Sequence, residues 1–186
     1  MRIISGKFRG KKIFPPKDKS TRPLKDLVKE SIFNLILHSK KFDCSLENSY
    51  VLDLFSGTGS FGLECISRLS KKVYFFENYN RSLNILKKNI EFFNVSNKCE
   101  IFNQDCFKFF ESENFLKDKF DIIFFDPPYK EKKINFLIDK ILKTRILKEN
   151  GILIIHRHKK DNVDISDKLK ILDERTYGIS KIIIGN

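Results

Sequence analysis

The stretch Val51-Leu52-Asp53-Leu54-Phe55-Ser56-Gly57-Thr58-Gly59-Ser60-Phe61-Gly62 decides the fold of this chain. Its first residues are an apolar run that indicates a buried strand, and residues 56–59 then predict a glycine turn. From Phe61 the apolar residues follow helical spacing, with Leu69 facing the core and Arg68 facing water. The stretch is therefore a strand, a turn and a helix whose free N–H groups can bind a ligand.

The glycine spacing by itself does not identify that ligand. Gly57-x-Gly59-x-x-Gly62 is also the dinucleotide-binding pattern, and Glu77 follows at the distance of a ribose-binding acid. Asp53 separates the possibilities, because a carboxylate at the strand end is useful to a ligand with an ammonium group and not to a nicotinamide cofactor. The pattern Asp-x-x-x-Gly-x-Gly resembles motif I of the class I S-adenosylmethionine (SAM) methyltransferases.

The charge of the chain points to a polyanionic partner. The formal net charge is +12, and residues 1–29 hold ten basic and two acidic residues, which is +8 of that total. A lysine-rich composition would not by itself concentrate charge at one end. We therefore expect nucleic acid binding, with these residues in contact with RNA: Arg2, Lys7, Arg9, Lys11, Lys12, Arg22 and Lys29.

The remaining composition is typical of a cytoplasmic globular protein. The chain has no apolar run of membrane-spanning length and no apolar segment after its N-terminus that would suit a signal peptide. Its four cysteines show no C-x-x-C pairing and are expected to be reduced core residues: Cys44, Cys65, Cys99 and Cys106. Its three histidines lack metal-ligand spacing, so we expect no metal: His38, His156 and His158.

The first 45 residues predict a basic extension. Residues 1–14 suggest a small β-hairpin with turns at Gly6 and Gly10. An amphipathic helix follows from Pro23, and its apolar face is predicted to hold Leu24, Leu27, Val28, Ser31, Ile32, Leu35 and Ile36, with Lys29 outside that face. We place the domain boundary near Leu46, with an RNA-contacting extension at 1–45 and a catalytic core at 46–186.

Further apolar runs complete the sheet. Strands are predicted at residues 72–77, 99–102, 120–125 and 151–156, and a terminal hairpin at 170–174 and 181–184. Helices are predicted at residues 81–93 and 134–142. The pattern indicates an α/β fold of the class I methyltransferase, Rossmann-like type, with a seven-stranded, mainly parallel sheet and an antiparallel last strand.

Acids at two strand ends extend the predicted cofactor site. Glu77 ends the second strand, where a carboxylate can bind both ribose hydroxyls of either NAD or SAM. Asp105 follows the third strand and can cap a helix; in methyltransferases an acid here often accepts the adenine amino group. We expect the cofactor site to comprise Asp53, Phe55, Ser56, Gly57, Gly59, Glu77, Asn78, Asp105, Cys106 and Asp126.

A second motif, Asp126-Pro127-Pro128-Tyr129, follows the strand at 120–125. The Asp126 carboxylate and the Pro127 carbonyl can accept the two hydrogens of an exocyclic amine, and Tyr129 can stack on the base. Such an amine is a weak nucleophile because its lone pair is delocalised, so two acceptors favour a pyramidal nitrogen aimed at the methyl group. We expect Asp126, Pro127 and Tyr129 to be catalytic.

Taken together, these residues resemble one family over nearly the whole chain, the small-subunit rRNA guanine-N2 methyltransferases (ribosomal small subunit methyltransferase D). The narrower resemblance lies in residues 2–10 (RIISGKFRG), 21–24 (TRPL) and 28–34 (VKESIFN). It implies SAM as cofactor, S-adenosylhomocysteine as product and a guanine N2 of 16S rRNA as target. The substrate would be the assembling 30S subunit, with the base flipped into the pocket of a monomeric enzyme. After Gly151 the chain is shorter and richer in lysine than this family.

Three alternatives remain from the sequence. The first is an adenine-N6 methyltransferase on rRNA or DNA, since Asp-Pro-Pro-Tyr also serves adenine. The second is a non-catalytic RNA-binding assembly factor, which intact Asp53, Glu77, Asp126 and Tyr129 disfavour. The third is an NAD-dependent dehydrogenase, which Asp53 and the lack of an evident acid–base pair for hydride transfer disfavour.

Overall fold

Seven strands form one mixed sheet in the order β3-β2-β1-β4-β5-β7-β6. The computed structural model describes residues 1–16, 24–112, 116–128, 130–161 and 165–186. β1 to β5 run parallel, and β7 is antiparallel to both of its neighbours. This arrangement confirms the predicted α/β, Rossmann-like fold. The strands are β1 (Tyr50–Leu54), β2 (Lys72–Phe76), β3 (Cys99–Phe102), β4 (Phe120–Phe125), β5 (Leu147–His158), β6 (Ile171–Tyr177) and β7 (Ser180–Gly185).

Helices cover both faces of this sheet, because successive side chains of a strand point to opposite sides. One apolar core joins one face of the sheet to α1 (Asp26–His38), α2 (Ser60–Ser67) and α3 (Asn80–Phe92). The other joins the second face to α4 (Cys106–Glu111) and α5 (Ile134–Thr144). Within the described parts of the chain, none of the helices combines the length and the apolar character needed to cross a membrane.

Several boundaries differ from the sequence prediction for physical reasons. β5 begins at Leu147 rather than at residue 151, because its first four residues are largely polar and hide the strand pattern. At the end of α2 the expected orientations are reversed. Leu69 has φ +75° and is 51% exposed, whereas the Arg68 guanidinium lies 4.5 Å from the centre of the Phe33 ring.

The N-terminal segment forms a turn with little regular pairing. Its antiparallel contact is a single bridge between Arg2 and Lys12, supported by a hydrogen bond of 2.9 Å from the Ile3 N–H to the Lys11 carbonyl. Ile3 and Ile13 are buried in the same apolar core as α1, α2 and α3. The segment is therefore packed onto the body of the protein, as two isolated strands would be unstable alone.

Helix α2 holds this segment through buried polar side chains. The two oxygens of the Glu64 carboxylate accept the N–H groups of Ile4 (2.7 Å) and Ser5 (2.9 Å). The Ser67 hydroxyl donates to the Ser5 carbonyl (2.6 Å) and accepts the Phe8 N–H (3.0 Å). These bonds replace the ladder that a longer hairpin would have made, and they fix the segment against the helix that follows the glycine turn.

The prediction that Lys29 contacts RNA is wrong. The side chain is fully buried, its Nζ lies 3.3 Å from a Glu64 oxygen, and it donates to the Arg2 carbonyl at 2.7 Å. Burial lowers the pKa of Lys29, and the Glu64 charge opposes that change. The apolar face of α1 is rotated accordingly, since Leu27 is 68% exposed while Phe33 is buried.

We expect Lys29→Met to lower the free energy of unfolding by about 3 kcal/mol, because it removes one of the two cations that pair with the buried Glu64 carboxylate. Chemical denaturation followed by circular dichroism measures this. The matched control is Lys25→Met on the exposed side near the start of α1, which should change stability by less than about 0.5 kcal/mol. Adding Glu64→Gln to Lys29→Met should restore part of the loss; equal stability of Lys29→Met and the wild type would contradict the ion pair.

Candidate active site

A cavity of about 480 Å³ lies at the carboxyl ends of the central strands. β2 and β3 lie on one side of β1, and β4 lies on its other side, so the strand order reverses at β1. Open α/β sheets bind ligands at such a switch point. Residues at or just after the ends of β1, β2, β3 and β4 line it, and Met1, Pro16 and Leu24 add a wall from the N-terminal segment.

The glycine turn forms one wall of the cavity. The Ser56 hydroxyl donates to the Asp53 carbonyl at 2.6 Å, and its N–H donates to the Phe76 carbonyl at 2.9 Å. Gly59 has φ +84°, and a Cβ there would lie 2.5 Å from a methyl group of Leu86. The turn therefore needs glycine at this position both for its backbone conformation and for the packing of α3 beneath it.

Asp53 is almost completely buried and lines the cavity. It accepts the Gly62 N–H of α2 at 3.1 Å. Burial raises the pKa of Asp53 well above its ordinary value, and the charges of Asp126 and Glu77 raise it further. A cation bound in the cavity would compensate for this environment and favour the ionised form.

Glu77 is held by backbone N–H groups on both carboxylate oxygens. Gly57 donates to one oxygen and Tyr79 to the other, each at 2.7 Å. Burial raises the pKa of Glu77, and these N–H bonds oppose that rise. The Asn78 N–H adds a third backbone interaction with this carboxylate. The carboxylate can still accept a further hydrogen bond, as a ribose hydroxyl would donate.

Asp105 caps α4, as the sequence predicts. Its Oδ1 accepts the N–H groups of Phe107 (2.7 Å) and Lys108 (3.3 Å), while the Asn78 amide donates to Oδ2 at 3.2 Å. Cys106 lies beside it in the cavity lining, and burial raises the pKa of its thiol, so the group is a small apolar wall rather than a nucleophile. Phe55 also lines the cavity and pairs with Phe107, with ring centres 5.7 Å apart.

Asp126 lies in the same cavity and carries a partner that the sequence analysis missed. Its Oδ1 is 2.7 Å from Nδ1 of His156, and Nε2 of His156 is 2.9 Å from the Ser180 hydroxyl. The parallel register of β4 and β5 sets Asp126 next to His156, and β7 brings Ser180 to the same side of the sheet. His156 on its own gave no signal, because its partners are 30 and 24 residues away.

The backbone after Asp126 is held from β5. Arg157 of β5 is only 2% exposed and donates to the carbonyls of Pro128 (3.2 Å) and Glu131 (3.0 Å). Pro127 is buried and lines the cavity. Tyr129, the predicted stacking residue, lies outside the described residues, as does the predicted RNA contact Arg22.

The charge of the cavity is opposite to that of the protein. Its described lining includes the carboxyl groups of Asp53, Glu77, Asp105 and Asp126, and none of the described lining residues is lysine or arginine. Such a lining attracts a cation and repels the pyrophosphate of a dinucleotide. Among the described residues, no group of three His, Cys, Asp or Glu side chains has the arrangement of a metal site.

The remaining predicted RNA contacts lie on the surface of the N-terminal segment. Lys7, Arg9, Lys11 and Lys12 are exposed. Arg2 is also exposed and is 3.6 Å from the Asp26 carboxylate. Since Met1 and Pro16 line the cavity, this basic surface begins at the cavity rim.

Comparison with known proteins identifies relatives along the whole chain. The family described as Conserved hypothetical protein 95 matches residues 1–186. "Ribosomal RNA small subunit methyltransferase D" of Haemophilus influenzae is 32% identical over 180 residues, which is 96% of this chain and 90% of that protein. "Putative rRNA methyltransferase YlbH" of Bacillus subtilis is 30% identical over 185 residues, or 99% and 97%. The crystal structure of the "putative methylase HI0767" of Haemophilus influenzae has a TM-score of 0.77 at 30% identity, covering 99% and 96%.

We expect Asp53→Asn to stabilise the ligand-free protein at neutral pH and to weaken SAM binding roughly 10- to 100-fold. Because folding raises the pKa of Asp53, the folded protein loses stability as the pH rises from the ordinary pKa of the carboxyl group towards the raised one, where the buried group ionises. Asparagine carries no charge and avoids this loss. Thermal unfolding between pH 5 and pH 8, together with calorimetric titration of SAM, measures both effects. Unchanged SAM affinity would rule out contact between Asp53 and the ligand.

Proposed function

The chain belongs to the Conserved hypothetical protein 95 family, and from that premise we propose that it methylates the exocyclic N2 of a guanine in 16S rRNA. It is a methyltransferase of the class I fold, and its cofactor is SAM. The observation that carries the proposal is the position of Asp126, at the carboxyl end of β4 in the same acidic cavity as Asp53 and Glu77.

The chemistry of the cavity fits SAM. Asp53 would bind the ammonium group, Glu77 the ribose hydroxyls, and Asp105 the adenine amino group, with the glycine turn at Gly57 and Gly59 beside them. When bound, SAM supplies a methyl group on a positively charged sulfur. A cavity that combines several carboxylates with no described lysine or arginine in its lining suits the positive sulfur and the ammonium group of SAM.

Asp126 and Pro127 would orient the target amine. Because His156 takes one carboxylate oxygen of Asp126, the other oxygen is left to accept an amine hydrogen, and the Pro127 carbonyl can accept the second. Holding both hydrogens directs the nitrogen lone pair towards the methyl group. The proton released after transfer can leave to the Asp126 carboxylate.

His156 would keep Asp126 in this role. A neutral imidazole that donates from Nδ1 to an ionised carboxylate accepts at Nε2, and the Ser180 hydroxyl is placed to donate there. The two bonds hold the ring between β4 and β7. His156 is thus a positioning residue that fixes the orientation of the Asp126 carboxylate.

The proposed substrate is RNA in an assembling 30S subunit, methylated in the cytoplasm by a monomer. The net charge of +12 and the exposed lysine and arginine side chains of the N-terminal segment support a polyanionic partner. The relatives reported above are rRNA methyltransferases by name. In this proposal residues 1–45 are the RNA-contacting extension and residues 46–186 the catalytic core. The target base would be flipped out of its stack to reach Asp126, with Tyr129 against its face.

The first test is methyl transfer from labelled SAM to 30S subunits that lack guanine-N2 methylation, with nucleosides separated by mass. We expect N2-methylguanosine with the wild type and none with Asp126→Ala, which should still bind SAM. The Lys143→Met variant, at an exposed position near the end of α5, serves as an active control. Label in N6-methyladenosine would replace guanine by adenine as the target, and loss of SAM binding by Asp126→Ala would refute its proposed role.

The role of His156 is tested by comparing alanine with asparagine. We expect His156→Ala to lower kcat about 10- to 100-fold through misorientation of Asp126, with little change in KM for RNA or in SAM affinity. His156→Asn should recover much of kcat, because its amide can donate in place of Nδ1. Ser180→Ala should have a smaller effect of the same kind. Equal loss in His156→Ala and His156→Asn would reject positioning through this hydrogen bond.

A further inference from the structure

A row of four phenylalanine rings runs along the surface of the N-terminal segment and α3. Phe8 contacts Phe93 with ring centres 5.1 Å apart, Phe93 contacts Phe92 at 5.3 Å, and Phe92 contacts Phe14 at 5.3 Å. Phe93 is buried and anchors the row, whereas Phe92 is 54% exposed and Phe8 and Phe14 are half-buried. This aromatic row therefore presents ring surface to the solvent next to the apolar core.

Lysine side chains lie over the ends of the aromatic row. The ammonium groups of Lys7 and Lys11 are 5.9 and 5.3 Å from the centre of the Phe8 ring, and that of Lys88 is 4.2 Å from the centre of the Phe14 ring. All three lysines are exposed. Their cations are drawn to the ring faces by cation–π attraction and remain available to solvent on the other side.

The aromatic row is rigidly connected to the cavity. Asn89, fully buried on α3, accepts the Phe14 N–H at 2.8 Å and donates to the Thr58 carbonyl in the glycine turn at 2.9 Å. Pro16, two residues after Phe14, lines the cavity. The aromatic row is therefore joined to the glycine turn through Asn89 and lies within two residues of the cavity lining at Phe14.

We propose that the aromatic row and its three lysines bind the single-stranded RNA next to the target nucleotide. Bases stack on exposed aromatic rings irrespective of sequence, while lysines beside the rings neutralise phosphates. This combination of π faces and cations fits RNA. An apolar protein partner would have to bury the three ammonium groups, which is unfavourable without carboxylates to pair with them. The inference rests on the proposed function, since the target base defines where the flanking strand must lie.

The test measures the Kd of a labelled single-stranded 16S rRNA fragment at several salt concentrations. We expect Phe92→Ala to weaken binding about 10-fold or more without changing the salt dependence, because stacking is not ionic. Phe92→Tyr should keep near wild-type affinity because it retains the ring. Lys88→Ala should weaken binding and reduce the slope of log K against log salt by about 0.7, the value for one phosphate contact on a single strand.

Matched controls lie at the other edge of the sheet and on α5. Ile171→Ala on β6 removes an apolar side chain that is 50% exposed, and Lys143→Ala removes an exposed lysine near the end of α5. Both should bind RNA as the wild type does. SAM affinity of Phe92→Ala should match the wild type, and its thermal unfolding midpoint should stay well above the temperature of the binding measurement, which separates a surface effect from a folding effect.

The outcomes separate this proposal from the proposed function. Wild-type affinity for RNA in both Phe92→Ala and Lys88→Ala would overturn the proposal that the aromatic row binds RNA. So would weakened binding to assembled 30S particles combined with unchanged binding to the naked fragment, which would indicate a protein partner. If the wild type transfers no methyl group to rRNA yet RNA affinity depends on Phe92 and Lys88, the surface stands and the proposed reaction fails.

Discussion

Charge compensation on α2 is the constraint on which this structure depends. Glu64, fully buried, is surrounded by the Lys29 ammonium, the Arg68 guanidinium and two N–H groups of the N-terminal segment. A buried carboxylate is stable when it is surrounded in this way, so the N-terminal segment and α1 must pack where they do. Two residues earlier on the same helix, the Gly62 N–H donates to Asp53. The helix that fixes the extension is thus the helix that holds the cavity acid.

The buried carboxylates of Glu64 and Asp53 differ in the charges that surround them. Glu64 is paired with cations of the protein itself, whereas Asp53 faces the carboxylates of Asp126 and Glu77. The protein therefore keeps an acidic cavity inside a strongly basic chain. A cationic cofactor can occupy that cavity, while the basic outer surface attracts a polyanion. In the proposed function, this separation of the two charges would let one small domain bind both ligands.

The terminal hairpin contributes to the site as well as to the sheet. β7 runs antiparallel beside β5 and brings the Ser180 hydroxyl to the ring of His156, which in turn contacts Asp126. From the next position on β5, Arg157 holds the carbonyl groups of the loop that follows Asp126. Two consecutive residues of β5 therefore support the Asp126 carboxylate and the backbone after it from opposite sides of the strand.

The sequence by itself determined the succession of strands and helices along the chain, the glycine turn and the acids at the strand ends. These features depend on local periodicity and on residues next to each other in the chain. Asp53, Glu77, Asp105 and Asp126 meet in one cavity as expected, since parallel strands bring their carboxyl ends together. The role that each plays there is still a prediction, and Tyr129 lies outside the described residues.

The tertiary structure alone decided which polar side chains are buried and which apolar ones are exposed. Lys29 and Leu27 are close on one helix, yet the lysine is buried and the leucine is exposed, because a buried acid 35 positions away attracts the lysine. The contacts of His156 with Asp126 and of Phe14 with Phe92 likewise join distant parts of the chain. Periodicity reports how one element is patterned, whereas such contacts depend on which elements pack together.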